Sequence, residues 1–175
     1  MRPSPASREI IVADAASLRQ LAIADALERL RKMGDTIILI DIVALELAAD
    51  PEAPGARVAQ AWIAAGTAPG SLTPIEIAVT ETGSLLRLAR QVDPSVSAKN
   101  ACRRAVIDFV AERMENSEGL AGVICHDEVA ARAIANNSGA VIVPLTPAFA
   151  ERLAALTDGV EVDLGERIDG EVSLQ

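Results

Sequence analysis

The sequence predicts an α/β fold with a mostly parallel five-stranded sheet and helices on both faces of that sheet. Five short apolar segments alternate along the 175 residues with longer segments of helical periodicity, the pattern of parallel strands joined by crossover helices. Half of the residues are hydrophobic but only 2% are aromatic, so the core must be built from Ala, Val, Ile and Leu. Such a composition suits a parallel sheet that is buried on both faces.

The apolar segments are the predicted strands, and each has the length of a strand buried between two helical layers. They are EIIVA, TIILI, IEIAV, AGVIC and AVIVP, at residues 9–13, 36–40, 75–79, 121–125 and 140–144. The helices predicted between and after them cover residues 14–34 in one or two segments, 41–50, 55–66, 80–92, 94–116, 127–139 and 146–159.

Capping residues and prolines predict where several of these helices begin and end. Asp41 is a candidate N-cap, because a carboxylate at that position accepts a hydrogen bond from the first helical turn. The same helix should end before Pro51, since the residue preceding a proline disfavours the α conformation. The long helix of residues 94–116 is expected to be capped by Ser95 or Ser97.

Charge divides the chain into an N-terminal arm at residues 1–8, one domain at 9–157 and an acidic tail at 158–175. The net charge is −9, and the tail alone holds six acidic residues against Arg167. A protein that binds a duplex without sequence preference is usually basic, because it must neutralise phosphates. The domain without its tail is only mildly acidic, so contact with nucleic acid remains compatible with its charge.

Cysteine usage and hydropathy predict a reduced, cytoplasmic protein without a membrane span. Cys102 and Cys125 are far apart and have apolar neighbours, as two buried free thiols would. The first ten residues, MRPSPASREI, contain no apolar signal core. The longest apolar stretch, residues 36–49, is interrupted by Asp41 and Glu46.

Acidic residues follow the carboxyl ends of the predicted strands, where ligands bind to parallel sheets. Asp14 follows the first strand, Asp127 follows the fourth with only His126 between them, and Glu46 lies in the helix after the second. Acids that share a crevice repel one another unless a divalent cation compensates their charge, and Mg²⁺ prefers carboxylates, water and phosphate. Each acid also has a structural interpretation, since Asp14 and Asp127 could be N-caps and Glu46 a half-exposed helix residue.

Taken together, the segments IIVADAASL, IVALELA and VICHDEVAARAIA resemble the PIN-domain family, the small ribonuclease fold of many VapC-type toxins. Members have an Asp after the first strand, followed directly by Ala, Thr or Ser, and a Leu four residues after the Asp. They also have a Glu on the helix after the second strand and an Asp after the fourth. These positions fall on Asp14, Glu46 and Asp127, and the resemblance spans about residues 9–157.

The resemblance implies a three-layer sandwich in which Asp14, Glu46 and Asp127 hold Mg²⁺ or Mn²⁺. It implies a metal-dependent endoribonuclease that activates water to cleave RNA. Toxin members of the family often form homodimers, and an antitoxin protein blocks their pocket. A toxin of a toxin–antitoxin pair is therefore one expectation for this chain.

One position departs from the family pattern. Members often carry Gly-Glu near the start of the long helix, where this chain has Cys102-Arg103. Arg103 could take the metal position and pair with a strand-end aspartate, or turn outward with Arg104 to bind RNA phosphate. Asp108 could supply the missing acid only in a shifted register, because it lies about 140° around the helix from Arg103. Three further basic residues could extend the basic edge: Arg87, Arg90 and Lys99.

Two functions therefore remain open. The first is a metal-dependent endoribonuclease of PIN type. The second, motivated by Arg103, is a catalytically degenerate PIN-fold protein that binds RNA or a protein partner. A phosphotransfer receiver module fits badly, because Thr80-Glu81 follows the third strand where such a module needs an aspartate.

Overall fold

The computed structural model describes residues 8–72, 74–116 and 120–156, and within them it forms one all-parallel five-stranded sheet with eight helices. The strands are β1 Glu9–Val12, β2 Thr36–Ile40, β3 Ile75–Ala78, β4 Leu120–Cys125 and β5 Ile142–Pro144. The helices are α1 Ala15–Ile23, α2 Leu27–Met33, α3 Asp41–Ala49, α4 Ala56–Thr67, α5 Glu81–Val92, α6 Lys99–Asn116, α7 Glu128–Ser138 and α8 Pro147–Ala155. The predicted fold class is confirmed, whereas the acidic tail and residues 1–7 of the arm lie outside the described residues.

The strand order is β3-β2-β1-β4-β5, so the direction in which the chain adds strands reverses between β1 and β4. Helices α1, α4 and α8 pack together, and α5, α6 and α7 form a second group, which gives helical layers on both sides of the sheet. The helices that leave β1 and β4 therefore diverge to opposite faces and open a crevice between the carboxyl ends of the two strands. This is the position at which doubly wound sheets bind ligands.

The core includes the whole inner length of β1 and β2, whose side chains are buried from Ile10 to Val12 and from Ile37 to Ile40, and the helices pack on them. Burial on both faces explains why these strands are continuous apolar runs. On α4, Trp62 is the only tryptophan of the chain and is 6% exposed. The guanidinium of Arg31 lies 5.5 Å from the centroid of its ring, a cation–π contact.

Two predicted helix caps are wrong. Helix α3 begins at Asp41 with Ile40 in the N-cap position, and the Asp41 side chain turns inward and is buried. Helix α6 begins at Lys99, so neither Ser95 nor Ser97 directly precedes it. Asp93 Oδ1 instead accepts hydrogen bonds from the backbone N–H and the hydroxyl of Ser95, at 2.9 and 2.6 Å. This local turn keeps the preceding residues out of the helix.

Among the helices of the described residues, none combines the length with the apolar character that a bilayer crossing requires.

Candidate functional site

A cavity of about 740 Å³ lies in the crevice between the carboxyl ends of β1 and β4. All three predicted acids line it, although they come from different elements: the end of β1, the middle of α3 and the start of α7. Its lining includes Asp14, Glu46, Asp127, Cys102, Arg103 and His126. The predicted residues are therefore neighbours, and what they can do depends on the partners that each already has.

Asp14 is the N-cap of α1 and also joins the end of β1 to the end of β4. Its Oδ1 accepts a hydrogen bond from the backbone N–H of Ser17 at 2.6 Å. Its Oδ2 accepts from the backbone N–H groups of His126 and Asp127, at 2.8 and 3.2 Å, and from the thiol of Cys125 at 3.4 Å. Since a carboxylate has about four acceptor positions, Asp14 keeps little capacity for a further ligand.

Asp127 is the N-cap of α7 and the partner of an arginine. Its Oδ1 accepts from the backbone N–H groups of Val129 and Ala130, at 3.0 and 3.1 Å. Its Oδ2 accepts from Nε and Nη2 of Arg103, at 3.0 and 2.6 Å. Burial raises the pKa of Asp127. The hydrogen bonds from Arg103 and from the first turn of α7 lower it by more, so the pKa lies below its ordinary value.

Arg103 therefore points inward and pairs with a strand-end aspartate, which is one of the two orientations predicted from the sequence. The side chains of Arg103 and Asp127 are 29% and 27% exposed, so the pair borders the cavity without being sealed from water. Nη1 of Arg103 has no acceptor among the described residues and remains available to a ligand. Arg104 points outward, is 86% exposed and lies 3.8 Å from Asp108.

Arg104 and Asp108 are not brought to the cavity with the other predicted residues. Asp108 borders a separate cavity of about 500 Å³ between α5 and α6, together with Glu112. The position of Asp108 follows from the α6 register, which points residue 103 toward Asp127 and carries residue 108 to the opposite side. Asp108 therefore does not supply a fourth carboxylate to the first cavity.

Glu46 is half-buried at the cavity wall and hydrogen-bonded to the Cys102 thiol. Burial, reinforced by the negative charge of Asp14, raises the pKa of Glu46, and the Cys102 hydrogen bond and the charges of Arg19 and Arg90 oppose this increase. Burial also raises the pKa of the Cys102 thiol, so it acts here as a neutral donor to a carboxylate. Both cysteines of the chain are free and buried, as predicted.

Two arginines of the cavity were not recognised as site residues from the sequence. Arg90 was considered only as part of a basic edge, yet its Nε donates to the Val96 carbonyl at 3.1 Å and its Nη1 to the Leu45 carbonyl at 3.4 Å. Arg19 also lines the cavity. A signal for Arg19 was present, because it is the only charged residue of α1 and follows Asp14 at little more than one helical turn.

Arg87 does not join Arg90 at the cavity, because it pairs with the buried carboxylate of Asp41. Asp41 is 3% exposed, and its Oδ1 also accepts from the backbone N–H and the hydroxyl of Thr80, at 3.2 and 2.8 Å. A Cβ added to Gly83 would lie 2.2 Å from the same oxygen. Asp41 is thus enclosed by α5 and holds α3 against it. The side chain of Lys99, the third residue of the predicted basic edge, is not among the side chains that the structure describes.

His126 reaches across to the segment that follows β5. Its Nδ1 lies 3.1 Å from the Leu145 carbonyl oxygen, which can only accept, so Nδ1 carries the proton in the neutral ring. Nδ1 is also 3.2 Å from the Gln20 amide. The opposite amide orientation would present Oε1 of Gln20 to that proton and satisfy an oxygen that is otherwise buried without a partner. The lone pair of the imidazole therefore resides on Nε2.

The donor set does not fit a divalent cation in its present arrangement. Both oxygens of Asp127 already accept hydrogen bonds, and a cation on Oδ2 would have to displace the guanidinium of Arg103. Within residues 8–72, 74–116 and 120–156, no group of three or more His, Cys, Asp and Glu side chains is arranged to hold a metal ion. The predicted Mg²⁺ or Mn²⁺ site stays a prediction.

The chain was compared with protein-family models, curated proteins and solved structures, and none of them matches it. Membership of the PIN family therefore stays a prediction that rests on the three acidic motifs and on their order along the α/β fold.

Proposed function

We propose that this chain is a catalytically degenerate PIN-like protein that binds RNA in the cavity between β1 and β4 and does not cleave it. The observation that carries the proposal is the ion pair between Arg103 and Asp127. In this pair Nε and Nη2 of Arg103 both donate to Oδ2 of Asp127. A charge-assisted pair of this kind is among the stronger hydrogen-bonded contacts in proteins. It occupies the position at which the family resemblance calls for a cation.

The charge balance of the cavity supports binding of RNA despite the acidity of the whole chain. Its three carboxylates are accompanied by the guanidinium groups of Arg19, Arg90 and Arg103. Asp14 and Asp127 are also stabilised by backbone N–H groups, which reduces the negative potential that they exert. A phosphate at the cavity mouth therefore meets a balanced surface that offers N–H donors.

The same balance disfavours a catalytic cation. A guanidinium that shares a carboxylate oxygen with an incoming cation repels it, and this repulsion is strong in a partly buried site. Replacing Arg103 by an acid would change the local charge by two units and free Asp127 Oδ2. Affinity for a divalent cation should therefore depend on this one residue.

Calorimetric titration with Mn²⁺ tests the proposal. We expect no saturable binding in the wild-type protein, binding in Arg103→Glu, and none in Arg104→Glu, which makes the same charge change on the exposed side of α6. Saturable binding of Mn²⁺ by the wild-type protein that is lost in Asp127→Ala would contradict the proposal. RNA binding is measured separately, by the anisotropy of a labelled single strand in a chelator.

The RNA measurement has its own expected signature. The logarithm of the association constant should fall linearly with the logarithm of the salt concentration, because each neutralised phosphate releases counterions. The strand should remain intact on a denaturing gel after long incubation with Mn²⁺. A wild-type protein that leaves the anisotropy of single-stranded RNA unchanged would refute the RNA-binding function.

A metal-dependent endoribonuclease is the second candidate, with RNA as substrate and Mg²⁺ or Mn²⁺ as cofactor. It is favoured by the convergence of Asp14, Glu46 and Asp127 on one cavity, and by the partial exposure of Arg103, which could swing outward. A cytoplasmic toxin that forms homodimers and is inhibited by an antitoxin belongs to this second proposal. Metal-dependent cleavage that disappears in Asp14→Asn would establish it, whereas cleavage retained by that variant would not come from this site.

A further inference from the structure

We propose that the cavity contains a subsite for a phosphate monoester, formed by Arg90, Arg19 and the free Nη1 of Arg103. The inference names the ligand chemistry of the cavity already described. The phosphate can belong to the end of an RNA, in which case the inference rests on the proposed function. It can also belong to a free mononucleotide, which the same arginines would bind.

Arg90 carries the inference because its guanidinium is held in place without a hydrogen bond to any carboxylate of the described residues. Its two acceptors, the Leu45 carbonyl on α3 and the Val96 carbonyl before α6, are uncharged. They orient the guanidinium without neutralising it, Glu46 acts on it through its charge and not through a hydrogen bond, and Nη2 has no acceptor among the described residues. A guanidinium held in this way does not have to be ordered when an anion arrives, which favours binding.

Arg19 supplies a second charge to the cavity, from α1. Within the part of the chain that the structure describes, its side chain forms no hydrogen bond or ion pair. Glu46 attracts it electrostatically but is hydrogen-bonded to the Cys102 thiol and not to Arg19. The N–H donors of Arg19 therefore remain available.

The remaining groups of the cavity select the class of ligand. The aspartate oxygens already accept hydrogen bonds, so the free polar groups are mostly guanidinium donors, which suit an anion. A phosphate monoester is close to dianionic at neutral pH and can accept from two guanidinium groups, those of Arg19 and Arg90, that donate to no carboxylate of the described residues. It also presents oxygens in the geometry that guanidinium groups bind in pairs.

The size and the walls of the cavity refine this ligand further. A volume of about 740 Å³ admits a mononucleotide. In the described part of the chain no Phe, Tyr or Trp lines it, so a nucleobase finds only the smaller imidazole of His126 and the guanidinium planes to stack on. Recognition should therefore depend on the phosphate and only weakly on the base.

The first test compares probes on the wild-type protein by calorimetry, with a chelator present so that no cation can bridge the anion. Inorganic phosphate, adenosine monophosphate and adenosine are titrated in turn, and a short RNA is compared with a 5′-phosphate or a 5′-hydroxyl. We expect phosphate and the nucleotide to bind and adenosine not to bind. Adenosine binding as tightly as its monophosphate, or no binding of phosphate and nucleotide, would overturn the proposal.

The second test changes the arginines one at a time. Arg19→Gln should weaken nucleotide binding about tenfold, the loss expected for one charge-assisted hydrogen bond. Arg90→Lys, which keeps the charge but not the fork, should weaken it by a similar factor. Arg104→Gln removes the same charge outside the cavity and should bind as the wild type does. Equal affinity of all three variants would overturn the subsite.

The two proposals fail in different ways. Binding of the nucleotide without binding of any RNA refutes the RNA function and supports the subsite. A different result would refute the subsite and support the RNA function. In that case the protein binds RNA equally well with or without a 5′-phosphate, and the nucleotide does not displace the RNA. Because Arg19 makes no hydrogen bond that holds the fold, its variant should remain folded, which circular dichroism verifies.

Discussion

Two aspartate–arginine pairs lie at the carboxyl edge of the sheet, and they differ in what surrounds them. Asp41 pairs with Arg87, and its side chain is 4% exposed, enclosed by Thr80 and α5. Asp127 pairs with Arg103 beside an open cavity, and its side chain is 27% exposed. The first pair has no room for a ligand, whereas the second borders a space that could hold one.

The two pairs share their chemistry and differ in whether a ligand can reach the carboxylate. Both aspartates lie at the end of a strand, and both carboxylates accept from backbone N–H groups as well as from a guanidinium. Removal of the enclosed Asp41 carboxylate leaves the part-buried Thr80 donors without their acceptor, while a pair at a cavity can exchange its partner for solvent or a ligand. The free energy of unfolding should therefore respond very differently to the same change at the two sites.

The largest effect is expected for Asp41→Ala. It removes the acceptor of the Thr80 N–H and hydroxyl and should lower the free energy of unfolding by on the order of 3 kcal/mol. Asp127→Ala should cost about 1–2 kcal/mol, mostly through loss of the α7 cap. Urea unfolding followed by circular dichroism measures both, and a larger loss at Asp127 would reverse the comparison.

A smaller effect is expected for Gly83→Ala, which tests how closely Asp41 is enclosed. The new Cβ would lie 2.2 Å from Asp41 Oδ1, so overpacking of about 1–3 kcal/mol should exceed the gain of about 1 kcal/mol in helix propensity. In an Asp41→Ala background the obstacle is gone and the same change should be stabilising. An equal cost in both backgrounds would show that Asp41 does not limit this position.

The smallest effect is expected at Arg103 and depends on pH. The pKa of folded Asp127 lies below the ordinary 3.8, so its stabilising contribution is present above that value and is lost as the pH falls through the folded pKa. Arg103→Gln should reduce this acid-sensitive contribution and cost about 0–1 kcal/mol at neutral pH. Unfolding free energies of the variant and the wild type are compared between about pH 2 and pH 7. Superimposable curves would mean that Arg103 does not set the pKa of Asp127.

Sequence patterns predicted the fold well where burial alone decides it. The second strand was predicted with its observed bounds, because TIILI is apolar on both faces and can lie only in the centre of the sheet. The start of α6 was missed although a local signal was present, since Asp-Pro-Ser at residues 93–95 is a typical turn sequence. Here the helical periodicity was extended too far.

The partners of the charged residues were harder to predict, because they depend on packing between distant elements. Asp41 has the local pattern of an N-cap, and only the position of α5 shows that its carboxylate turns inward to Arg87. The convergence of Asp14, Glu46 and Asp127 was predicted from strand order, since carboxyl ends of parallel strands share one edge. The direction of Arg103 was left open, and the α6 register decides it.

The single tryptophan of the chain has a practical consequence for all of these measurements. The protein contains no tyrosine, so Trp62 dominates its near-ultraviolet signal. Trp62 is buried on α4, stacked with Arg31, and it is not part of the wall of the cavity. Its fluorescence should change when the chain unfolds and remain constant when the cavity fills. The molecule thus carries an internal optical probe of folding that is insensitive to occupancy.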